Sequence, residues 1–269
     1  MLILVLFFII AVGAMVGLAF VGVSQDSLWL QALNQILVFG GAAVVFALLF
    51  YGNPVEYLKL RLPERLWRKL LGAMLILVCL VPVSDWLGLV NESWHLPQGL
   101  SLLEEKLRQM EADSQLLLER YFSDRSVGGF LINVFVLALL PALCEELLFR
   151  GAMQQVLTSW TRNHHAAIFI TAALFSLFHG EVFLFLPRFV LGLALGYLFF
   201  YGGSLWINSA VHFVNNLMAI ALYYLAEGGF VDPQAAESFN SPWYLALVGL
   251  AGAVFVFWLT FRNGEKRFD

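Results

Sequence analysis

A carboxylate set beside imidazoles in a water-poor site can take a proton from water and return it, and imidazole or carboxamide N–H groups can hold a developing negative charge. The chain carries such a set inside or at the edge of long apolar runs: Glu145, Glu146, Arg150, His179, Arg188, His212 and the pair Asn215 and Asn216. Helix geometry sorts them. Glu145 and Glu146 are adjacent and project about 100° apart on a helix, so they cannot share one face. Glu146 and Arg150 are four apart with the acid first, the favourable order for a helical ion pair. Arg150 can therefore neutralise Glu146 and leave Glu145 pointing elsewhere. His212 and Asn216 are also four apart and line one face. The result is one free carboxylate, two imidazoles and a carboxamide, a set suited to hydrolysis by an activated water. Glu145, His179 and His212 are equally ordinary zinc ligands, and spacing alone does not separate a metal site from a glutamate-only one.

These groups need helices in hydrocarbon to position them. The chain has 269 residues, 61% hydrophobic and 13% charged, with a mean hydropathy of +0.81. A soluble domain carries about a quarter charged residues, so most of this surface faces lipid. The net charge of -4 gives no reason to expect nucleic acid. Cys79 and Cys144 both sit in apolar runs, which argues against a disulfide framework. A spanning helix needs about 20 mostly apolar residues. Eight runs meet or approach this: Leu2 to Val21, Leu28 to Tyr51, Leu70 to Val90, Gly128 to Phe149, Ala166 to Phe178, Val182 to Tyr201, Leu205 to Leu225 and Trp243 to Phe261. The expected fold is all-α, a polytopic bundle of about eight transmembrane helices. The first run lacks a basic n-region and exceeds the usual h-region, so it reads as a span, not a signal peptide.

The short fifth run sets His179 at its far end. If the fourth helix continues through Gly151 to Leu157, the two helices form a hairpin folded at Thr161-Arg-Asn-His-His165. Glu145 and His179 then each lie 17 residues from Arg162, about 25 Å along their helices, and their depths match. His164 and His165 in that turn are expected to be solvated. Arg188 has three readings: contact with a substrate carboxylate, contact with Glu146, or snorkelling to the interface. Pro97 to Arg125 is too charged to span; Ser101-Leu-Leu-Glu104 has the form of a capping box, and Leu103, Leu107, Met110 and Leu117 recur at helical spacing. An interfacial amphipathic helix and a helix packed over loops are both compatible with that pattern.

The motifs Glu145-Glu-Leu-Leu-Phe-Arg150, Phe175-Ser-Leu-Phe-His179 and His212-Phe-Val-Asn-Asn216 resemble, in order, the EExxxR, FxxxH and HxxxN motifs of the CPBP family of intramembrane proteases, also called the Abi family, which includes the CAAX prenyl proteases. The resemblance covers about Gly128 to Leu225. It implies an intramembrane endopeptidase in which Glu145 activates water with help from His179, while His212 and Asn216 stabilise the oxyanion or orient substrate. Glu146 and Arg150 take the supporting role. It implies either zinc or no cofactor, with Glu145, His179 and His212 as the ligands of any metal. The partners are a peptide or protein substrate, lipidated in the eukaryotic members, and membrane lipids. The corresponding division is 1-127 for three N-terminal helices and an extramembrane segment, 128-225 for the catalytic core and 226-269 for a loop and last helix. HExxH, GxGD and GxSG, the marks of other intramembrane protease classes, are missing from the sequence. The rival readings are a non-catalytic scaffold or immunity protein and a small proton-coupled transporter. A transporter would show repeat symmetry across both halves, whereas the polar residues here crowd into one.

Orientation follows from the basic residues. Lys59, Arg61, Arg65, Arg68 and Lys69, then Arg150 and Arg162, then Arg262, Lys266 and Arg267 fall on one side by parity, together with the N-terminus. The positive-inside rule makes that side, and both termini, cytoplasmic. A reporter fused after Asp269 is accordingly expected to read as cytoplasmic, and an extracytoplasmic reading would reverse the topology.

Overall fold

A computed structural model of the protein describes residues 27–231 and 241–261. The expected span Leu2 to Val21 and the basic tail after Phe261 lie outside the described residues. All regular structure among the described residues is helical. In chain order, α1 is Leu28–Tyr51, α2 the short Pro54–Tyr57, α3 Leu66–Glu92, α4 Ser101–Tyr121 and α5 Val127–Thr161. There follow α6 His164–Phe178, α7 Phe185–Gly202, α8 Leu205–Glu227 and α9 Trp243–Phe261. Six helices among the described residues are long and apolar enough to cross a membrane: α1, α3, α5, α8, α9, and α7 with the 3₁₀ turn before it. The seventh apolar helix, α6, is short. The protein is an all-α, multi-pass membrane bundle.

The 35 residues of α5 exceed the thickness of the hydrocarbon layer, since about 20 suffice to cross it. The helix stays continuous past Arg150 to Thr161, where Arg162 adopts the left-handed conformation (φ 53°) that ends it. Asn163 then caps α6, its side chain accepting from the His165 and Ala166 amides at 2.9 and 3.2 Å. This is the hairpin expected from the polar turn. His164 and His165 cover the adjoining end of α7: the His164 ring stacks on Phe200 at 4.1 Å, and His165 Nδ1 meets the Tyr197 hydroxyl at 2.8 Å. Pro141 sits inside α5 without breaking it. Pro cannot donate to the preceding turn, and the π-helical stretch Val134–Leu139 just ahead of it supplies the local rewinding that such an interruption calls for.

Two large apolar clusters hold the helices together among the described residues. Phe46 of α1, Phe149 of α5 and Phe175 of α6 anchor one, together with Leu58 from the loop after α2. The other joins α3, α7, α8 and α9 through Leu77, Leu195, Ile207 and Phe261. The connection between α1 and α3 is tied down by its backbone: Gln155 donates to Tyr57 O (2.6 Å), the Trp206 indole to Leu60 O (2.7 Å) and the Ser204 hydroxyl to Arg61 O (2.8 Å). Burial of the Lys59 amine in this connection pulls its pKa down to about 8.

The capping box expected at the start of α4 does not form. A 3₁₀ turn, Gln98–Leu100, leads directly into the helix, so Ser101 already has helical dihedrals and its hydroxyl does not occupy the capping position. Glu104 instead reaches back over the connection from α3. It accepts from the Leu96 amide (2.8 Å), from His95 Nδ1 (2.9 Å) and from Arg108 Nε (3.0 Å). Those partners, the Leu96 N–H foremost, hold its carboxyl down at about 2, against an ordinary 4.5. A depressed carboxyl contributes stability that is complete above its ordinary value and is lost as pH falls towards the depressed one. Amide exchange of residues 94–108 is therefore expected to gain an extra acceleration between pH 4.5 and about 2, and Glu104→Gln should remove that pH-dependent component.

Candidate active site

Glu145 lies near the midpoint of α5, and the helix turns π-helical over Leu147–Gln154 immediately after Glu146. Single π turns inside α-helices occur often at functional sites because they re-aim successive side chains. Glu146 and Arg150 are both fully buried, and Arg150 Nη1 donates to Glu146 Oε1 at 2.6 Å. The second guanidinium nitrogen donates to Gly192 O of α7 at 3.2 Å. Glycine suits that contact: a Cβ at 192 would stand 3.1 Å from Ala172 Cα of α6, tighter than an ordinary packing distance. One turn further on, Gln154 donates to Gly196 O at 3.1 Å in the same way.

His212 of α8 completes the pair. Its Nδ1 donates to Glu146 Oε1 at 3.0 Å, which leaves Nε2 facing Glu145 Oε2 at 3.9 Å. His179, at the C-terminal cap of α6, donates from Nδ1 to the Phe175 carbonyl at 2.8 Å. A carbonyl only accepts, so this bond fixes the proton on Nδ1 and turns Nε2 towards Glu145 Oε2, 4.0 Å away. The Phe175 ring is packed edge-on against both imidazoles, with centroids 4.9 and 5.7 Å apart, and the Arg150 guanidinium lies 4.5 Å over it. Glu145, Glu146 and His212 are deeply shielded, whereas the His179 side chain is 30% exposed, so the site opens on the His179 side.

The hairpin thus brings Glu145 and His179 together, and α8 adds His212. Asn216 stands one turn along α8 from His212 on the same face; its oxygen accepts from Asn215 at 3.4 Å, which leaves its amide N–H₂ for another acceptor. Arg188 pairs with Glu181 in the connection after His179, and not with Glu146. That connection is clamped from elements far away in sequence. Asn91 of α3 donates to Val182 O (3.1 Å) and accepts from the Leu186 amide (2.7 Å). Glu111 of α4 accepts from the Phe183 amide at 2.8 Å, and Arg108 lies 3.9 Å over the Phe183 ring. Sequence reasoning also missed Gln35 of α1, whose Nε2 donates to Glu145 Oε1 at 2.9 Å. The available signal was a carboxamide in the middle of an apolar run.

Zinc held tetrahedrally at about 2.0–2.2 Å places its donor atoms about 3.3 Å apart. Here Glu145 Oε2 stands 4.0 and 3.9 Å from the two imidazole nitrogens. No cluster of three or more His, Cys, Asp or Glu among the described residues has metal-binding spacing. An oxygen about 2.8 Å from each of two atoms 4.0 Å apart makes an angle of about 90° between them. As arranged, the donors suit a hydrogen-bonded oxygen better than a tetrahedral zinc.

Removing one partner of a buried ion pair strands the other charge, at a cost of about 3–5 kcal/mol, whereas replacing both is far milder. Arg150→Met should therefore destabilise the folded protein by that amount in detergent unfolding. In the double variant Glu146→Gln/Arg150→Met no charge is stranded, and the carboxamide oxygen introduced at 146 can still accept from His212. That variant should recover most of the loss.

No curated protein and no solved structure gives a significant match to the chain. Residues 127–218, the stretch that carries all three motifs, match the Rce1-like family model, described as type II CAAX prenyl endopeptidase Rce1-like, in agreement with the CPBP resemblance.

Proposed function

We propose that the protein is an intramembrane endopeptidase that hydrolyses a peptide bond with a water activated by Glu145. The observation that carries this reading is the convergence of His179 Nε2 and His212 Nε2 on Glu145 Oε2, at 4.0 and 3.9 Å. A water seated among these atoms donates one hydrogen to Glu145 Oε2 and the other to His179 Nε2, which aims an oxygen lone pair at the substrate carbonyl. As that oxygen bonds to the carbonyl carbon, its proton passes to Glu145. The carbonyl electrons move onto oxygen, where the Asn216 amide donates to the oxyanion, joined by His212 Nε2–H when that ring is the imidazolium with a proton on both nitrogens. The tetrahedral intermediate then collapses, the C–N bond breaks, and Glu145 returns the proton to the departing amine. The products are a carboxylic acid and a free amine.

Glu146 and Arg150 act through His212. The Glu146 carboxylate at Nδ1 holds the ring in place and offsets the charge of its imidazolium form, and Arg150 pairs with that carboxylate. His179, on the open side, meets the substrate first. The family description names CAAX prenyl endopeptidases, so a prenylated CAAX peptide is the first substrate to test, beside an unbiased peptide library.

Purified protein is expected to cleave at least one of these substrates. Loss of general acid–base catalysis costs about 10²–10⁴-fold, so Glu145→Gln should lower kcat by that factor with its folding unchanged. Failure of the folded wild type to cleave either substrate class would favour a non-catalytic scaffold.

A further inference from the structure

We infer that Gln35 is a positioning residue for Glu145, and hence that the working site extends beyond residues 127–218 into α1. The inference rests on the protease reading above. Gln35 is 110 residues away from Glu145 in sequence, yet its Nε2 donates to Glu145 Oε1 at 2.9 Å. The approach is built in. From Gln35 to Gly41, α1 is π-helical, which places the Gln35 side chain at the start of a re-aimed turn. Gly40 lies against α5 so closely that a Cβ there would stand 3.0 Å from Cys144 Sγ, next to Glu145 itself. Phe39 packs on Phe149 one turn further along α5, with ring centroids 6.4 Å apart. A buried amide left unpaired costs free energy, and the bond to Glu145 satisfies the N–H₂ end of Gln35.

The geometry gives the bond a chemical consequence. A carboxylate has two equivalent oxygens, and rotation about its last bond exchanges them. With Oε1 held by the Gln35 amide, Oε2 is the oxygen turned to the two imidazoles. It is buried and has no protein hydrogen-bond partner. A proton taken from water between the imidazoles therefore arrives on Oε2 and not on Oε1, which already accepts a hydrogen bond. Gln35 thus selects which oxygen is the base. Its own Oε1 is buried and has no protein partner either, so the amide is engaged through its N–H₂ end alone.

Gln35→Met keeps the length and volume of the side chain but has no donor. Loss of a hydrogen bond to a charged group is expected to lower kcat by about 10–100-fold and leave KM within about twofold. Gln35→Asn, one methylene shorter, keeps polarity but falls short of Oε1, and should reproduce the loss. The readout independent of turnover is the infrared carboxylate band of Glu145 in protein carrying ¹³C-carboxyl glutamate, assigned by its disappearance in Glu145→Gln. Both Gln35 variants should shift that band. An unshifted band overturns the hydrogen bond, and a shifted band with wild-type kcat overturns the positioning role. If the wild type hydrolyses nothing, the protease reading fails and the positioning of a catalytic base fails with it, but the band still reports whether Gln35 holds Glu145.

Discussion

A fully buried ion pair in an apolar bundle constrains everything around it. Glu146 and Arg150 have no access to solvent, and a charge in such surroundings is tolerated only when paired and hydrogen-bonded. Their spacing on α5 supplies the pairing. Neighbouring helices fill part of the remaining capacity, Glu146 Oε2 and Arg150 Nε being left without a protein partner, and each contact dictates how close a neighbour comes. Arg150 reaches the Gly192 carbonyl, so α7 must present bare backbone there. Glu146 takes the His212 Nδ1–H, so α8 must deliver an imidazole at that depth. Gln154 repeats the α7 contact one turn on, and Asn208 of α8 donates to the Leu195 carbonyl between the two glycines. A bundle core is thereby specified by polar groups, where lipid supplies no hydrophobic drive to bring helices together.

The same constraint divides the two adjacent carboxylates. Glu146 is enclosed by groups that stabilise its charge and cannot move without breaking the core. Glu145, a hundred degrees around the helix, is held at one oxygen and leaves the other facing two imidazole nitrogens. Each of those nitrogens is aimed by a bond at the opposite side of its ring: His212 through Glu146, His179 through its own helix at Phe175. Phe175 joins the two functions, since its ring packs against both imidazoles and the guanidinium while its carbonyl orients one of the imidazoles. Orientation is supplied by the folded bundle before any substrate arrives, which is the condition under which electrostatic catalysis is effective.

Much of this was legible in the sequence because charge in hydrocarbon is conspicuous. The apolar runs marked the helices, the i to i+4 spacing paired Glu146 with Arg150, and the polar turn at 161–165 put Glu145 and His179 at one depth. Other features had weak signatures. Ser101 and Glu104 fit a capping box by spacing, but a preceding 3₁₀ turn shifted the helix start and Glu104 found a stronger donor in the Leu96 amide. Arg188 offered three readings, and the short connection after His179 supplied a nearer acid in Glu181. The π-helical turns at Gln35–Gly41 and Leu147–Gln154 have no residue pattern that announces them.

What escaped the sequence has a common cause. Gln35, Asn91, Gly40 and Gly192 are neutral or without a side chain, so neither hydropathy nor charge spacing picks them out, and three of the four lie outside the matched stretch. They nevertheless set distances. Gly40 and Gly192 allow backbones to approach, Gln35 uses one such approach to hold a carboxylate, and Asn91 fixes the backbone beyond His179 from both sides. The charged motif residues carry the proposed chemistry, yet they are separated by whole helices and cannot fix their own separations. The distance between Glu145 and its imidazoles is decided where α1, α3 and α7 pack, and the site is therefore a property of the bundle more than of its three motifs.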